Sequence, residues 1–470
     1  MDINENTTAF NRRRFLATTG LAGAGLVLAP RALNAQSASA PSNRATGNAI
    51  NLGIVGVGAQ GQVLLDSINA IFKLGQINIR LVAVCDIWPF QLDQVVRREQ
   101  TLFPEVKGYS DIDDMLSKEK LDALFVASPD FWHARHTISG LKNGQHVYCE
   151  KMMARTADEG REMVRTSKST GKLLQIGHQR RSNPNYRFAY NELFTKLKFL
   201  GRITNANAQW NRAVSDDLKM PKAKPITPEN LKRYGYENAH EFRNWRWFKK
   251  YSNGPISDLG AHQIDIFNWV LGRPRSVIAA GGVDYYTTHE WYDNVMCIFD
   301  YDDIPGGTKG EVARAYYQVL TTTSSGGGYF ENFMGIKGSF KISEQARHIK
   351  AYAEASSKAE FEAIAGKKIP GTNISFLTKE IAKPVAATEA KADVRDSAPP
   401  DAYDLNNFLG NKAIHQFHVE NFLRTIRGDA GVTLNCDGEH AFKSEAPIFR
   451  VNEAVEAQKR LFYTDADFAI

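Results

Sequence analysis

The feature that most constrains the fold is a glycine-rich turn between an apolar strand and a helical pattern. Directly after the apolar run Ile50 to Val55, the chain reads Gly56-Val57-Gly58-Ala59-Gln60-Gly61. The first glycine permits a tight bend, the second lets a pyrophosphate approach the backbone, and the third lets helix and strand pack closely. The sequence therefore predicts a dinucleotide site at Gly56, Gly58, Ala59, Gln60 and Gly61; an α/β turn without a ligand is the alternative.

A second strand, "IRLVAVCD", ends at Asp86. A carboxylate at this strand end is placed to accept hydrogen bonds from the ribose hydroxyls of adenosine, and it would repel a 2′-phosphate. We therefore expect NAD rather than NADP as the cofactor, unless Asp86 is an ordinary surface residue.

Strands and helices continue to alternate after Asp86. "LDALFVASP", "QHVYCEK" and "KLLQIGHQ" read as strands, and "FWHARHTISGLKNG" reads as a helix. Such alternation predicts an α/β fold with a doubly wound parallel sheet, whose ligands bind beyond the carboxyl ends of the strands. This location predicts further cofactor contacts from a set of residues in these loops: Ser128, Pro129, Trp132, His133, Glu150 and Lys151.

A later segment, "GPISDLGAHQIDIFNWVLG", carries polar residues at helical spacing. Asp258, His262 and Asp265 fall at positions i, i+4 and i+7, on one face of a single predicted helix. The unperturbed pKa of histidine lies near neutrality, which suits His262 to move a proton. A helix-capping Asp258 and a core His262 are the alternatives.

Together, the glycine turn, "VASPDFWHARH", "HVYCEK" and "DLGAHQID" make the chain similar to a known family of oxidoreductases. It resembles the glucose-fructose oxidoreductase, inositol dehydrogenase and rhizopine-catabolism (Gfo/Idh/MocA) family from about Ile50 to about Gly282, and weakly again in "GIKGSF" and "HQFHVENFLRTIRG". The usual Glu-Lys-Pro of the family is replaced by Glu150-Lys151-Met152. The resemblance implies a second domain with an open, mostly antiparallel sheet, and a homo-oligomer.

The resemblance also implies that Lys151, Asp258 and His262 are the catalytic residues. Oxidation of an alcohol needs a base for the hydroxyl proton, and His262 fits that role. Lys151 would stabilise a developing alkoxide, and Asp258 would hydrogen-bond the imidazole or a substrate hydroxyl. Asp265 would anchor the helix or orient His262.

Two further stretches predict substrate contacts. In "FRNWRWFKKYSNG", Trp245 and Tyr251 could stack on a sugar ring, with core aromatics as the alternative. In "GHQRRSNPNYRF", His178 and Arg180 could line a polar pocket, with a salt-bridged surface loop as the alternative.

The N-terminus predicts export. Three arginines, Arg12 to Arg14, precede Phe15 and an apolar stretch that runs to Ala29, which resembles a twin-arginine signal peptide. We expect residues 1–40 to be this signal, with cleavage after Ala35, a periplasmic or otherwise exported protein, and no membrane contact after cleavage. The net charge of +6 includes no basic run outside the N-terminus, so nucleic acid is not an expected partner.

The domain prediction is a Rossmann domain at 48–175 and an α+β substrate and oligomerisation domain at 176–470. Residues 350–405 turn rich in alanine and lysine, and we expect an irregular insertion there. The four cysteines are widely spaced, which favours buried free thiols over disulfides or a metal site.

The sequence thus predicts an oxidoreductase that uses tightly held NAD to act on a sugar or polyol hydroxyl. Tight binding would explain how an exported enzyme keeps a cofactor that is scarce outside the cytoplasm. A glycoside hydrolase or lyase working through a transient keto-sugar is one alternative, although "DLGAHQID" favours the dehydrogenase type. A non-catalytic nucleotide- or sugar-binding protein is another, although it would have no need of a proton-transfer group.

Overall fold

The computed structural model describes residues 48–326, 328–345, 348–369, 372–380, 400–405 and 408–470. The predicted signal peptide at residues 1–40 lies outside these described residues. Within them, no helix combines the length and the apolar character that a membrane span requires.

A six-stranded, fully parallel sheet forms the first half, in the order β3-β2-β1-β4-β5-β6. The predicted doubly wound sheet is confirmed. Five helices, α1 to α5, alternate with the strands. The strands are β1 Ile50–Val55, β2 Ile79–Cys85, β3 Lys107–Tyr109, β4 Ala123–Val126, β5 His146–Cys149 and β6 Leu174–Ile176; the helices are α1 Ala59–Leu74, α2 Pro89–Glu99, α3 Ile112–Lys118, α4 Asp130–Lys142 and α5 Ala157–Thr170.

The glycine turn joins β1 to α1, and two of its glycines are required by close backbone contacts. Gly56 has a φ of 83°, and a Cβ there would lie 2.4 Å from the Ser128 nitrogen. A Cβ on Gly61 would lie 2.1 Å from the Gly56 carbonyl oxygen. Both distances are below any van der Waals contact, so α1 can meet β1 and the β4 loop only where these residues lack side chains.

A ten-stranded sheet dominates the second half, in the order β14-β15-β13-β12-β11-β7-β10-β9-β8-β16. Only β7 and β10 pair in parallel among these described strands. The expected mostly antiparallel sheet is confirmed. The strands are β7 Ile203–Asn211, β8 Ser276–Gly282, β9 Asn294–Tyr301, β10 Ala313–Leu320, β11 Tyr329–Gly335, β12 Gly338–Ile342, β13 Lys350–Ala353, β14 Leu377–Lys379, β15 Asp401–Leu405 and β16 Leu461–Phe462.

Helices pack on one face of this sheet and join it to the first half. The helix predicted over 254–272 consists of two consecutive segments, α9 and α10, with a turn at Leu259; α10 packs on β10, β7 and β11, and α12 packs against α1 of the first half. The helices are α6 Pro184–Phe188, α7 Pro228–Arg233, α8 Ala239–Asn244, α9 Pro255–Asp258, α10 Gly260–Leu271, α11 Lys358–Ala365, α12 Ile414–Arg427, α13 Gly438–Ala457 and α14 Asp465–Phe468, with a π-helical turn at Ala189–Lys196.

The opposite face of the ten-stranded sheet exposes apolar side chains. Ile278 and Ile298 are each 38% exposed, and Met296 is 37% exposed. An apolar patch of this kind is what a subunit contact would bury. The homo-oligomer itself stays a prediction.

The prediction of an irregular insertion at 350–405 is wrong for the described residues of that range. They form β13, α11, β14 and β15, which extend one edge of the sheet. Phe361 and Tyr403 are fully buried there, and these few apolar anchors order a stretch whose composition resembles a loop. Residues 381–399 lie outside the described residues. The prediction for the cysteines is confirmed, because Cys85, Cys149, Cys297 and Cys436 are all buried and free.

The contact at Gly61 predicts a large stability difference between two glycine substitutions. In Gly61→Ala the new methyl group meets backbone that cannot move independently, so we expect a loss of roughly 1–3 kcal/mol of unfolding free energy. Gly366→Ala is the control, because a Cβ there lies at an ordinary 3.5 Å from its nearest neighbour. Urea unfolding followed by circular dichroism measures both, and equal midpoints would contradict the packing role of Gly61.

Candidate active site

Lys151 and Asp258 meet where the two sheets approach each other. Lys151 follows β5, and Asp258 is the last residue of α9. The Lys151 Nζ donates to the backbone carbonyl of Asp258 and lies 3.5 Å from its Oδ1. Their side chains are only 12% and 19% exposed, so water screens the pair weakly. Two of the three predicted catalytic residues are therefore in direct contact.

Arg246 is a third member of this group, and the sequence analysis did not single it out. Its Nε lies 3.0 Å from Asp258 Oδ1. Burial alone would raise the pKa of Asp258, but the positive charges of Arg246 and Lys151 outweigh burial and hold that pKa far below its usual value. Asp258 is therefore a permanent anion that fixes two cations, and it is unsuited to act as an acid.

His262 lies one turn into α10 and is 8% exposed. Its ring lies 5.6 Å from the Trp210 ring, centroid to centroid. Burial lowers the pKa of His262 well below the ordinary 6.5, and the charge of Lys151 lowers it further. Its Nδ1 is buried and has no hydrogen-bond partner in the described part of the chain. At neutral pH this imidazole is uncharged, which is the state that can accept a proton.

Asp130 adds a further carboxyl group beside the Lys151–Asp258 pair. It is the first residue of α4 and is 7% exposed. Burial raises the pKa of Asp130 to about 7, although the charge of Lys151 opposes the shift.

Asp265 does not join His262, although the helical spacing suggested a shared face. Its carboxylate accepts from Arg181 Nε at 2.8 Å and from the Ser444 hydroxyl at 2.6 Å. Asp265 therefore anchors α10 to neighbouring segments, which is one of its two predicted roles.

The structure contradicts substrate binding by His178 and Arg180. His178 is 1% exposed and hydrogen-bonds Glu445. Arg180 is 1% exposed and pairs with Glu331 and, at 3.2 Å, with Glu344. Both side chains lie in the interior because buried carboxylates from distant segments balance their charges. The predicted polar pocket is a buried ion-pair network.

Tyr251 is also misassigned as a substrate residue. It is 1% exposed, its hydroxyl donates to Glu241, and its ring lies 5.0 Å from that of Phe131. Trp245 is half-buried, and the Arg246 guanidinium lies 4.3 Å from its ring centroid. Trp245 therefore supports a residue of the site rather than forming an open stacking surface.

An aromatic shelf beside His262 replaces the predicted one. Trp210 at the end of β7 and Tyr329 at the start of β11 stack with ring centroids 4.5 Å apart, and both are half-buried. These strands are neighbours in the sheet, and Trp210 pairs with Tyr329 in register. The sequence analysis singled out neither aromatic residue, because their pairing depends on the register of distant strands.

On the nucleotide side, Gly58 and Asp86 occupy the positions that the sequence predicted. A Cβ on Gly58 would meet nothing within 4 Å, so this face of the turn is open. The Asp86 carboxylate accepts from the backbone of Val57 at 2.9 Å and of Trp88 at 2.8 Å. Each carboxylate oxygen has a second lone pair for a ribose hydroxyl. The open cradle at a helix N-terminus fits a dinucleotide pyrophosphate.

The loops after β4 and β5 hold the remaining predicted cofactor residues. Pro129 is the N-cap residue of α4. The Ser128 hydroxyl lies 3.0 Å from His136 Nδ1, and the His136 ring stacks on the half-buried Trp132. His133 is 1% exposed, and its ring nitrogens lie 2.7 Å from the Met152 carbonyl oxygen and 2.6 Å from that of Ser128. His133 therefore joins the two loops from within, which contradicts a direct cofactor contact.

His133 also contacts the loop that carries Lys151, because its Nδ1 lies beside the carbonyl oxygen of the next residue, Met152. Burial lowers the pKa of His133 to about 4. The Lys151–Met152 peptide bond beside it is cis.

Gln60 and Glu150 contact each other across the glycine turn. The Gln60 side chain donates to Glu150 Oε1 at 3.0 Å, and Glu150 is 4% exposed. The predicted residues around the turn thus lie together, with Ala59 as the first residue of α1. Among the residues with described positions, no cluster of three or more His, Cys, Asp or Glu side chains could hold a metal ion.

Comparison with family models matches both halves. Residues 50–178 match the oxidoreductase family with an NAD-binding Rossmann fold, and residues 198–339 match the GFO/IDH/MocA C-terminal domain. Among curated relatives, D-glucoside 3-dehydrogenase of Escherichia coli (strain K12) is 27% identical over 229 residues, 49% of this chain and 56% of the relative. A glycosyl hydrolase family 109 protein of Solibacter usitatus is 26% identical over 271 residues, 54% of this chain and 56% of the relative. The chain thus spans about half the length of these relatives.

Solved structures share the fold across most of the chain. The WlbA dehydrogenase from Bordetella pertussis, in complex with NADH and UDP-GlcNAcA, has a TM-score of 0.61 and 18% identity, covering 89% of this chain and 99% of that chain. GenD2 from gentamicin A biosynthesis, in complex with NAD, has a TM-score of 0.60 and 14% identity, covering 90% and 99%. With both domains matched in order, the chain belongs to the Gfo/Idh/MocA family of oxidoreductases, and its first domain is an NAD(H)-binding Rossmann domain.

Proposed function

We propose that this protein is an NAD(H)-dependent oxidoreductase that acts on a hydroxyl group of a sugar or polyol. The observation that carries the proposal is the neutral, buried His262 beside the Lys151–Asp258 pair, next to a dinucleotide cradle. A nucleotide-binding protein without catalysis has no need of such a proton-transfer group.

The residues divide the reaction between them. NAD⁺, when bound, supplies the hydride acceptor that no side chain can provide. His262 accepts the hydroxyl proton, which its low pKa permits at neutral pH. Lys151 donates a hydrogen bond to the same oxygen and stabilises its developing negative charge. Asp258 holds Lys151 in place, and the Trp210–Tyr329 shelf supports the apolar face of the sugar.

Slow exchange of the cofactor is part of the proposal, and a covering segment at residues 212–251 supports it. This segment packs along the carboxyl ends of the parallel strands, where the adenosine would lie. The Trp88 indole donates to the Lys224 carbonyl at 3.0 Å, and the Tyr234 hydroxyl donates to the Ser110 carbonyl at 2.6 Å. Release of the dinucleotide would require these contacts to open. Retention suits a protein exported in folded form by a twin-arginine signal, which we also propose.

The cofactor is proposed to be NAD rather than NADP. Asp86 places a carboxylate at the end of β2, where a 2′-phosphate would meet it. One relative, scyllo-inositol 2-dehydrogenase of Bacillus subtilis, carries NADP(+) in its name, so direct identification of the nucleotide is needed.

Hydrolysis or elimination through a transient keto-sugar is the second candidate. The observation that favours it is the presence of glycosyl hydrolase family 109 proteins and of a 2,7-anhydro-N-acetylneuraminate hydratase from Escherichia coli among the relatives. Oxidation acidifies the neighbouring C–H, a base removes that proton, and a C–O bond breaks before the hydride returns. Product analysis separates the candidates, because only an oxidoreductase leaves an oxidised or reduced sugar.

The open cradle at Gly58 predicts how cofactor content depends on one methyl group. Purified wild-type protein should release stoichiometric NAD(H) on denaturation. It should also turn over sugars without added cofactor, because a closed redox cycle regenerates the bound nicotinamide. In Gly58→Ala the Cβ occupies the space for the pyrophosphate, so the nucleotide should be largely absent. Chromatography of the supernatant measures it, with Gly366→Ala as a control that keeps its cofactor. Full NAD(H) content in Gly58→Ala would contradict the cradle.

Loss of the proton acceptor or the cation should slow hydride transfer. His262→Asn and Lys151→Met should each lower the single-turnover rate by roughly 10²- to 10⁴-fold while NAD(H) content is retained. Lys443→Met is the matched control, because Lys443 is 53% exposed and pairs with Glu439 on the surface. Turnover unaffected by His262→Asn would assign the proton transfer to another group.

The low pKa of His262 predicts an unusual pH profile. A base works only when deprotonated, and the fraction of neutral His262 falls only when the pH drops below its pKa. Because that pKa lies well below 6.5, kcat/KM for sugar oxidation should show no fall attributable to His262 at pH 6.5. Comparison of the wild-type and His262→Asn profiles tests this. An acid limb centred at 6.5 that disappears in His262→Asn would be inconsistent with the buried, neutral imidazole.

A further inference from the structure

Arg212 is an oriented cation at the edge of the candidate site. It directly follows β7, and its side chain is exposed. Its backbone N–H donates to the Leu320 carbonyl at 2.8 Å, which fixes the chain at this point. The guanidinium carbon lies 5.2 Å from the Trp210 ring centroid, so stacking orients the side chain.

Within the described ranges, Arg212 differs from the neighbouring arginines in having no carboxylate partner. Arg180 pairs with Glu331 and Glu344, Arg181 with Asp265, and Arg246 with Asp258. No ion pair or side-chain hydrogen bond joins Arg212 to any described residue. A guanidinium that is held in place and unpaired is suited to bind an anion from outside.

Arg212 also lies within reach of the reacting groups. Trp210 contacts both the Arg212 guanidinium and the His262 ring. Burial raises the pKa of Asp258, whereas Arg246, Lys151 and then Arg212 lower it, which places the charge of Arg212 within electrostatic range of that carboxylate. Arg212 and His262 therefore both lie beside the Trp210 ring.

The site carries an excess of positive charge. Lys151, Arg246 and Arg212 contribute three cations against the single permanent anion Asp258, and His262 is neutral. Asp130, with its pKa raised to about 7, offsets this charge only in part, and Glu445, which also acts on Asp130, is already paired with His178. A neutral polyol leaves the excess unbalanced, whereas an anionic substrate compensates it.

We propose that the substrate is an anionic sugar, whose carboxylate or phosphate monoester binds Arg212 while its reacting hydroxyl faces His262. The planar guanidinium can donate two parallel hydrogen bonds to either group. This inference rests on the proposed function and narrows its substrate class.

The experiment compares sugars that differ at C6, where the anionic members carry a carboxylate or a phosphate and the neutral members a hydroxymethyl group. Single-turnover hydride transfer to the bound nicotinamide is measured for glucose, glucuronate and glucose 6-phosphate, and for galactose and galacturonate. We expect the anionic member of at least one set to react with a kcat/KM roughly 10- to 100-fold higher than its neutral counterpart, the range that a charge-assisted hydrogen bond supports. The uronate and phosphate arms distinguish the two sources of the anion.

Arg212→Gln should remove this preference by slowing the anionic sugar far more than its neutral counterpart, and Arg212→Lys should keep part of the preference, because an ammonium retains the charge without the fork. Arg273→Gln is the control. Arg273 is 43% exposed and stacks on Phe468 with its guanidinium carbon 4.2 Å from the ring centroid, and it follows the C-terminal end of α10, whereas His262 lies near the N-terminal end. The Arg273→Gln variant should show the same preference for the anionic sugar as the wild type.

The outcomes separate this inference from the proposed function. Equal rates for neutral and anionic sugars, or a preference that survives Arg212→Gln, overturn the inference and leave the oxidoreductase intact. If no sugar transfers hydride, the proposed function fails, and quenching of tryptophan fluorescence by the same sugars then decides the inference. Tighter binding of the anionic sugar that Arg212→Gln abolishes supports Arg212 as its site, and equal binding in both proteins rejects it.

Discussion

The contact between Lys151 and Asp258 connects the parallel sheet to the mixed sheet at the point where chemistry would occur. Lys151 lies in the loop after β5, and Asp258 lies on α9, so neither domain alone contains the pair. Because the pair is mostly shielded from water, its charges act strongly on their surroundings. Burial and the charge of Lys151 lower the pKa of the neighbouring His262 and keep it neutral, and Arg246 and Lys151 lower the pKa of Asp258 and keep it ionised. Separation of the two domains would therefore remove both the geometry and the protonation states.

A second layer of buried charge lies beneath this contact. Arg180, Arg181 and His178 are each balanced by carboxylates from other elements, among them Glu331 and Asp265. Removing charges from water is costly, and such pairs add little net stability compared with apolar packing. Removal of one partner leaves an unpaired buried ion, so these networks specify one arrangement of α10 and the sheet. The orientation of His262 depends on that arrangement.

The same constellation serves either net redox chemistry or cleavage of a C–O bond. In the proposed function, both would begin with removal of a hydroxyl proton by His262 and stabilisation of the oxygen by Lys151. They differ in which group removes the next proton and in whether the hydride returns. Retention of the nucleotide, which we propose from contacts of the covering segment such as Trp88 with Lys224, would suit either chemistry in a closed cycle.

The sequence by itself determined the parallel sheet, the glycine turn and the acid at the end of β2, and its resemblance to the family implied the trio Lys151, Asp258 and His262. The sheet, the turn and the acid can be read from short stretches of sequence, because they depend on residue type and on spacing along one strand, turn or helix. Only the tertiary structure decided which polar residues face the site. Arg180 and Glu331 are 151 positions apart, so nothing near Arg180 in the chain indicates that its charge is balanced and buried. Arg212 looks equally polar in the sequence, yet it remains unpaired among the described residues, because none of the elements folded around it brings a carboxylate within ion-pair distance.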